Sequence, residues 1–293
     1  MSDIVSFQGA GGRSERGARP TQRDFYNVRQ PGQLIEKGGE KLAFFAVYDG
    51  HGSDKVSKHA SKHLPGLLAN VSELLDGEFE RVFEKVIQEE EALLKKGHLR
   101  KYGSAVAVCF VDLTTGVLVA GNLGDSHVLL SEWGNEGQVD IKRLTESHRP
   151  SNPLERSRIV EAGGFIAVDE DGTERLGPLS MSRALGDLDL KEALRCRAPS
   201  ASPPSNNADG PLSSQPFLRR VQLREDRRYH IALVSDGVTN ELGDHAIMNQ
   251  IADHWHAGLS PGDISKRITI GVSQKFGSDN ATCVCVFLSG RSV

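Results

Sequence analysis

Leu42-Ala43-Phe44-Phe45-Ala46-Val47-Tyr48-Asp49-Gly50-His51-Gly52 carries seven apolar or aromatic residues in a row, then turns abruptly acidic and glycine-rich. An apolar run without polar interruption fits a strand buried on both faces. Downstream, residues 53–75 and 76–96 have helical spacing, the second with Phe79, Val82, Phe83, Val86 and Ile87 on one face and Glu/Lys on the other. Residues 105–111 and 117–122, joined by Thr114-Thr115-Gly116, read as a hairpin, and a further strand begins at Ser126. Residues 153–162 spell a short helix stopped by Gly163-Gly164. Strands return at 230–234 and 282–288, with helical periodicity at 244–256 and 261–276 between them. Strands, paired helices, strands, paired helices: this order predicts a layered α+β fold rather than regular βαβ alternation.

The 293 residues suit one domain, 1–293. At 38% hydrophobic and 25% charged the composition excludes a fibrous or wholly disordered chain. A net charge of -4 supplies no basic field for nucleic acid or an anionic membrane. No apolar stretch approaches the roughly 18 to 20 residues of a membrane span, and the start lacks a secretory core. The expectation is a monomer of the cytoplasm or nucleus, with the mitochondrial matrix as the alternative because residues 9–23 are Arg/Gly-rich. Residues 1–18 are expected to be flexible. Cys196 to Gln215 holds four of the twelve prolines among Ser and Asn, which predicts a mobile loop over 196–216. The four cysteines include no CxxC pair and are expected to be reduced.

Acidic residues stand where strands end: Asp49 after Tyr48, Asp125 in Asn122-Leu123-Gly124-Asp125, Asp236 after Val234-Ser235, and Asp279 just before the last strand. A carboxylate beside a buried strand is costly unless paired or metal-bound, so four of them ask for a shared reason. Convergence on hard cations supplies one, and oxygen ligands without a Cys/His set favour magnesium or manganese. The chemistry this predicts is metal-assisted hydrolysis of a phosphate ester. No cysteine-phosphatase loop and no GxSxG elbow is present, so water is the expected nucleophile.

Nine motifs run in order along the chain: Arg19-Pro20-Thr21-Gln22-Arg23-Asp24, Val47-Tyr48-Asp49-Gly50-His51-Gly52, Gly103-Ser104-Ala105, Asn122-Leu123-Gly124-Asp125-Ser126, Ser147-His148-Arg149-Pro150-Ser151, Glu161-Ala162-Gly163-Gly164, Ser182-Arg183-Ala184-Leu185-Gly186-Asp187, Ser235-Asp236-Gly237 and Ser278-Asp279-Asn280. Together they resemble the metal-dependent Ser/Thr protein phosphatases of the protein phosphatase 2C type. The resemblance implies a four-layer α-β-β-α sandwich, two central antiparallel sheets flanked by helix pairs, acting on phosphoprotein substrates. It implies two Mg²⁺ or Mn²⁺ ions bridged by Asp49, with the Gly50 carbonyl on one and Asp236 and Asp279 on the other. Asp24 acts on the ions directly or through water, and Asp125 with Asp236 resembles the place of a weaker third ion. The resemblance further implies that a water bridging the ions would attack phosphoserine or phosphothreonine, with Arg19 binding the phosphate and His51 as general acid.

The chain departs from the pattern at Arg23, where many relatives are acidic, at Asn240, often acidic too, and at His127, commonly arginine. Arg23 in place of an acidic residue carries the alternative reading, a pseudophosphatase or regulatory binding module with a weakened metal centre, while the Asn240 change is milder and the His127 change reads as structural. His59 and His63, four apart among Lys55, Lys58 and Lys62, read as a solvated basic helix face rather than a zinc site.

Overall fold

The computed structural model describes residues 2–35, 37–134, 137–197 and 210–293. Strands β1 (Val5–Glu15) and β2 (Asp24–Arg29) lead into β3 (Leu42–His51), followed by helices α1 (Lys55–Ala69) and α2 (Phe79–Lys96). Then come β4 (Gly103–Asp112), β5 (Val117–Leu123), β6 (His127–Trp133) and β7 (Val139–Arg143). Helix α3 (Pro153–Glu161), the small hairpin β8 (Ile166–Val168) and β9 (Glu174–Leu176), β10 (Leu185–Gly186) and α4 (Leu188–Arg197) form an excursion. The chain closes with β11 (Phe217–Gln222), β12 (Arg228–Val234), the single turn α5 (Asp236–Thr239), α6 (Asp244–His256), α7 (Pro261–Ser273) and β13 (Ala281–Gly290).

Two antiparallel sheets result, ordered β1-β13-β12-β6-β7 and β11-β5-β4-β3-β2, with β10 pairing the start of β4. The apolar run of β3 explains their stacking. Side chains alternate across a strand, and Ala43, Phe45 and Val47 meet Val128, Ile231, Leu233 and Val286 of the other sheet. Phe44, Ala46 and Tyr48 face the opposite way, against Leu64, Leu68, Phe79 and Phe83 of α1 and α2. On the far side Cys283, Cys285 and Phe287 pack with Ile247, Ile251, Ile264 and Ile268 of α6 and α7. Three apolar layers therefore separate four structural layers, as the resemblance implied.

The N-terminal segment corrects one expectation. Of the stretch 1–18 expected to be flexible, residues 5–15 form β1, which pairs with β13 from Val5 opposite Gly290 to Glu15 opposite Ala281. Its glycines hid this strand, because they serve close approach rather than hydrophobic patterning. A Cβ on Gly11 would lie 2.4 Å from the Gly262 backbone nitrogen of α7, and one on Gly12 would lie 2.7 Å from the Tyr26 ring. Of the Ser/Pro-rich loop expected over 196–216, residues 198–209 lie outside the described residues. Gly210, Pro211 and Leu212 beyond it are buried.

Candidate metal and phosphate site

Antiparallel pairing brings the acidic positions to one end of the sandwich. Asp24 begins β2 directly opposite Asp49 near the end of β3. Asp125 follows β5, whose neighbour β4 starts opposite His51. In the other sheet Val234, two residues before Asp236, pairs with Cys283, four after Asp279. Like charges directly opposed across a ladder repel, and burial compounds the cost. Burial, then the charges of Asp24, Asp236, Asp125 and Asp279, pushes the Asp49 carboxyl well above its ordinary range. Burial, then Asp125 and Asp279, raises Asp236 to about 7, although its side chain keeps 21% of its surface exposed at the mouth. Asp24 is raised to about 6 by burial, opposed by a hydrogen bond from Thr282 Oγ1 to Oδ2 at 2.8 Å.

Several devices build the surrounding loops. Asn122 donates its amide to the carbonyls of Gly124, Ser126 and Glu146, and His148 Nδ1 accepts from the Gly124 N–H at 3.1 Å, which folds the turn presenting Asp125. Gly124 takes a φ of +93° there, with Ala105 2.7 Å from the place of a Cβ. Asn280 holds the loop of Arg19: its amide donates to the carbonyls of Arg16 and Thr21, and its Oδ1 accepts from the Arg23 N–H. Arg19 reaches the mouth and pairs with Asp279 at 2.6 Å. Gly50 is locked between the Ser57 hydroxyl and the Arg23 carbonyl, 2.4 and 2.8 Å from a would-be Cβ.

His51 Nε2 lies 2.5 Å from Asp187 Oδ2, while its Nδ1 is buried without a partner. Only glycine at position 103 leaves room for this pair, since a Cβ would fall 2.0 Å from the carboxylate and 2.3 Å from the imidazole. The departures are also placed. Arg23 Nε donates to Thr21 Oγ1 at 3.2 Å. Asn240 donates to Asp236 Oδ2 at 3.1 Å and accepts from Arg149. His127 is buried and bonds Thr145. His59 departs from the solvated reading: it bonds buried Glu90 at 2.6 Å and stacks on His63.

Reasoning on sequence missed Arg149, Asn280, Asp187 and Thr282 as contributors. Arg149, Asn280 and Asp187 lie inside the motifs above, but their partners are 24 to 264 residues away along the chain.

Among the described residues no three Asp, Glu, His or Cys side chains close into a ready ligand cage. The carboxylates turn instead to Arg149, Arg19 and Thr282. The donor chemistry nevertheless fits hard divalent cations. Asp24 Oδ1 is buried without a partner, and the cluster offers oxygen donors only.

The family profile described as Protein phosphatase 2C matches residues 9–275, and the chain belongs to that family. It is similar to protein phosphatase 2C homolog 2 of Saccharomyces cerevisiae, 27% identical over 93% of this chain and 57% of the relative. Probable protein phosphatase 1N of Mus musculus is 30% identical over 85% of this chain and 57% of its own length. The chain thus spans little more than half of these relatives. Among solved structures, a Caenorhabditis elegans sex determining protein superposes with a TM-score of 0.76 at 22% identity, covering 98% of this chain and 65% of the other. A serine-threonine phosphatase 2C from Toxoplasma gondii gives 0.73 at 20% identity, covering 98% and 97%. No described helix is long and apolar enough to cross a membrane.

Proposed function

We propose that the chain is a protein phosphatase that hydrolyses phosphoserine and phosphothreonine directly, with Mg²⁺ or Mn²⁺ as cofactor. The observation that carries this is the convergence of Asp24, Asp49, Asp125, Asp236 and Asp279 on one end of the sandwich, where burial and then their mutual repulsion raise Asp49 and Asp236. Asp24, Asp49, the Gly50 carbonyl, Asp236 and Asp279 would hold two cations. When bound, such cations supply Lewis-acid activation of a water and neutralise phosphoryl charge.

The remaining work falls to side chains. Arg19 binds phosphoryl oxygens with its planar fork and exchanges its present partner Asp279 for substrate. His51 is the general acid: Asp187 fixes its Nε2 side, and the proton passes to the leaving Ser or Thr oxygen. Arg19, exposed beside Asp279, supports phosphoester chemistry over a purely structural cation site.

The test is phosphate release from a phosphothreonine peptide with manganese, magnesium or chelator, beside Asp236→Asn. Metal-dependent release that the variant loses by 10²-fold or more is the expected result. A folded chain silent at millimolar manganese would be a pseudophosphatase, and faster turnover of small phosphoesters than of peptide would move the substrate class.

A further inference from the structure

We infer that the corner between Asp125 and Asp236 is closed by the chain's own cation, the Arg149 guanidinium, and takes no third metal ion. Arg149 Nε and Nη2 both lie 3.0 Å from Asp125 Oδ2, and Nη2 lies 3.5 Å from Asp236 Oδ2. The same Nη2 donates to Asn240 Oδ1 at 3.3 Å, while the Asn240 amide donates to Asp236 Oδ2. The facing oxygens of both carboxylates are therefore already taken by N–H donors, a polarity that opposes an incoming cation.

Arg149 is not placed there by chance contact. His148, its neighbour, clasps Gly124 from both sides: its ring accepts from the Gly124 N–H and its own N–H donates to the Gly124 carbonyl. The turn that presents Asp125 is thus tied to the residue that delivers the guanidinium. Asn240 completes the replacement, because it supplies an amide where a third carboxylate would favour an ion. A guanidinium keeps its charge under all working conditions, so one positive charge and its N–H donors stand permanently between the two carboxylates. Asp125 Oδ1, buried and unpartnered, leaves this carboxylate acting on Asp49 by charge alone.

This inference rests on the two-cation reading above, and ion counting separates the two. Manganese titration by calorimetry on the full chain is expected to give two ions for the wild type and for Asp125→Asn. Arg149→Ala, or Arg149→Gln should alanine not fold, is expected to admit a third, weaker ion that Asp125→Asn then removes. Three ions in the wild type, one of them lost on Asp125→Asn, would overturn the inference and leave the two-cation reading standing. Two ions in wild type and Arg149 variants alike would overturn the role given to Arg149. A folded wild type that binds none would overturn the metal centre itself.

Discussion

Arg23 precedes Asp24, yet its side chain bonds Thr21 while its backbone serves the site, its N–H to Asn280 and its carbonyl to Ser57. A substitution here changes charge near the mouth without removing a framework bond. Arg23→Glu is expected to lower the manganese concentration for half-maximal phosphate release a few-fold, because an attractive charge replaces a repulsive one. Arg23→Ala alongside separates loss of repulsion from new ligation, and identical titrations for all three would place the charge too far out to matter. At this scale Asp49, Asp125, Asp236 and Asp279 were legible because each breaks a local pattern, a charge beside the end of a strand, whereas Asp24 was reached only through the family resemblance. Their organisers were not. Asn280 looks like an ordinary turn residue, and its role depends on carbonyls of Arg16 and Thr21, which no local pattern links to it. Asp187 hides equally well, its need for a glycine at 103 being visible only in space.

Helices and strands with strong periodicity were read at nearly their observed limits. Residues 153–162 became α3, with Asn152 accepting the Leu154 N–H and Gly163 turning at a φ of +76°. Residues 261–276 became α7, with Ser260 capping the Asp263 N–H ahead of Pro261. β1 escaped because its information is steric. Gly11 lies against the start of α7, so a side chain there must push a helix off the sheet edge rather than fill a gap. Gly11→Val is expected to destabilise the chain by about 2 kcal/mol, at the scale of an overpacked contact. Chemical denaturation measures it, and an unchanged midpoint would mean that β1 is held only loosely.

Across the whole molecule, acid tolerance is set partly by histidines kept neutral. Burial lowers His127 and His148 to about 3 and His230 to about 4. His230 sits among Trp133, His256 and Phe287, with Nδ1 unpartnered. The unfolded chain binds its proton near pH 6.5 and the folded chain not until about 4, so the stability is complete above 6.5 and drains as pH falls through that window. Asp24 and Asp236 work in the opposite direction, since their raised carboxyls take up protons first in the folded state. The His230 contribution is therefore read as a difference. His230→Phe is expected to lose about 2 kcal/mol less than wild type between pH 7 and pH 5, measured by urea unfolding in chelator, and parallel losses would refute it. Most of the architecture was legible at this scale from one fact, that β3 is apolar on both faces, because a doubly buried strand needs cover on each side.

The order in which the sandwich is stitched has its own consequence. β13 lies between β1 and β12, so the first strand made finds its partner only after every other strand of these 293 residues has left the ribosome. At roughly 5 to 20 residues per second, vectorial synthesis leaves β1 waiting for tens of seconds, and one edge of β12 for some seconds, with open backbone groups. Nor can Asp279 join the other carboxylates before that strand docks. The full set of carboxylates thus assembles in one late step, and a nascent chain stalled short of β13 presents adhesive edges beside an incomplete cluster.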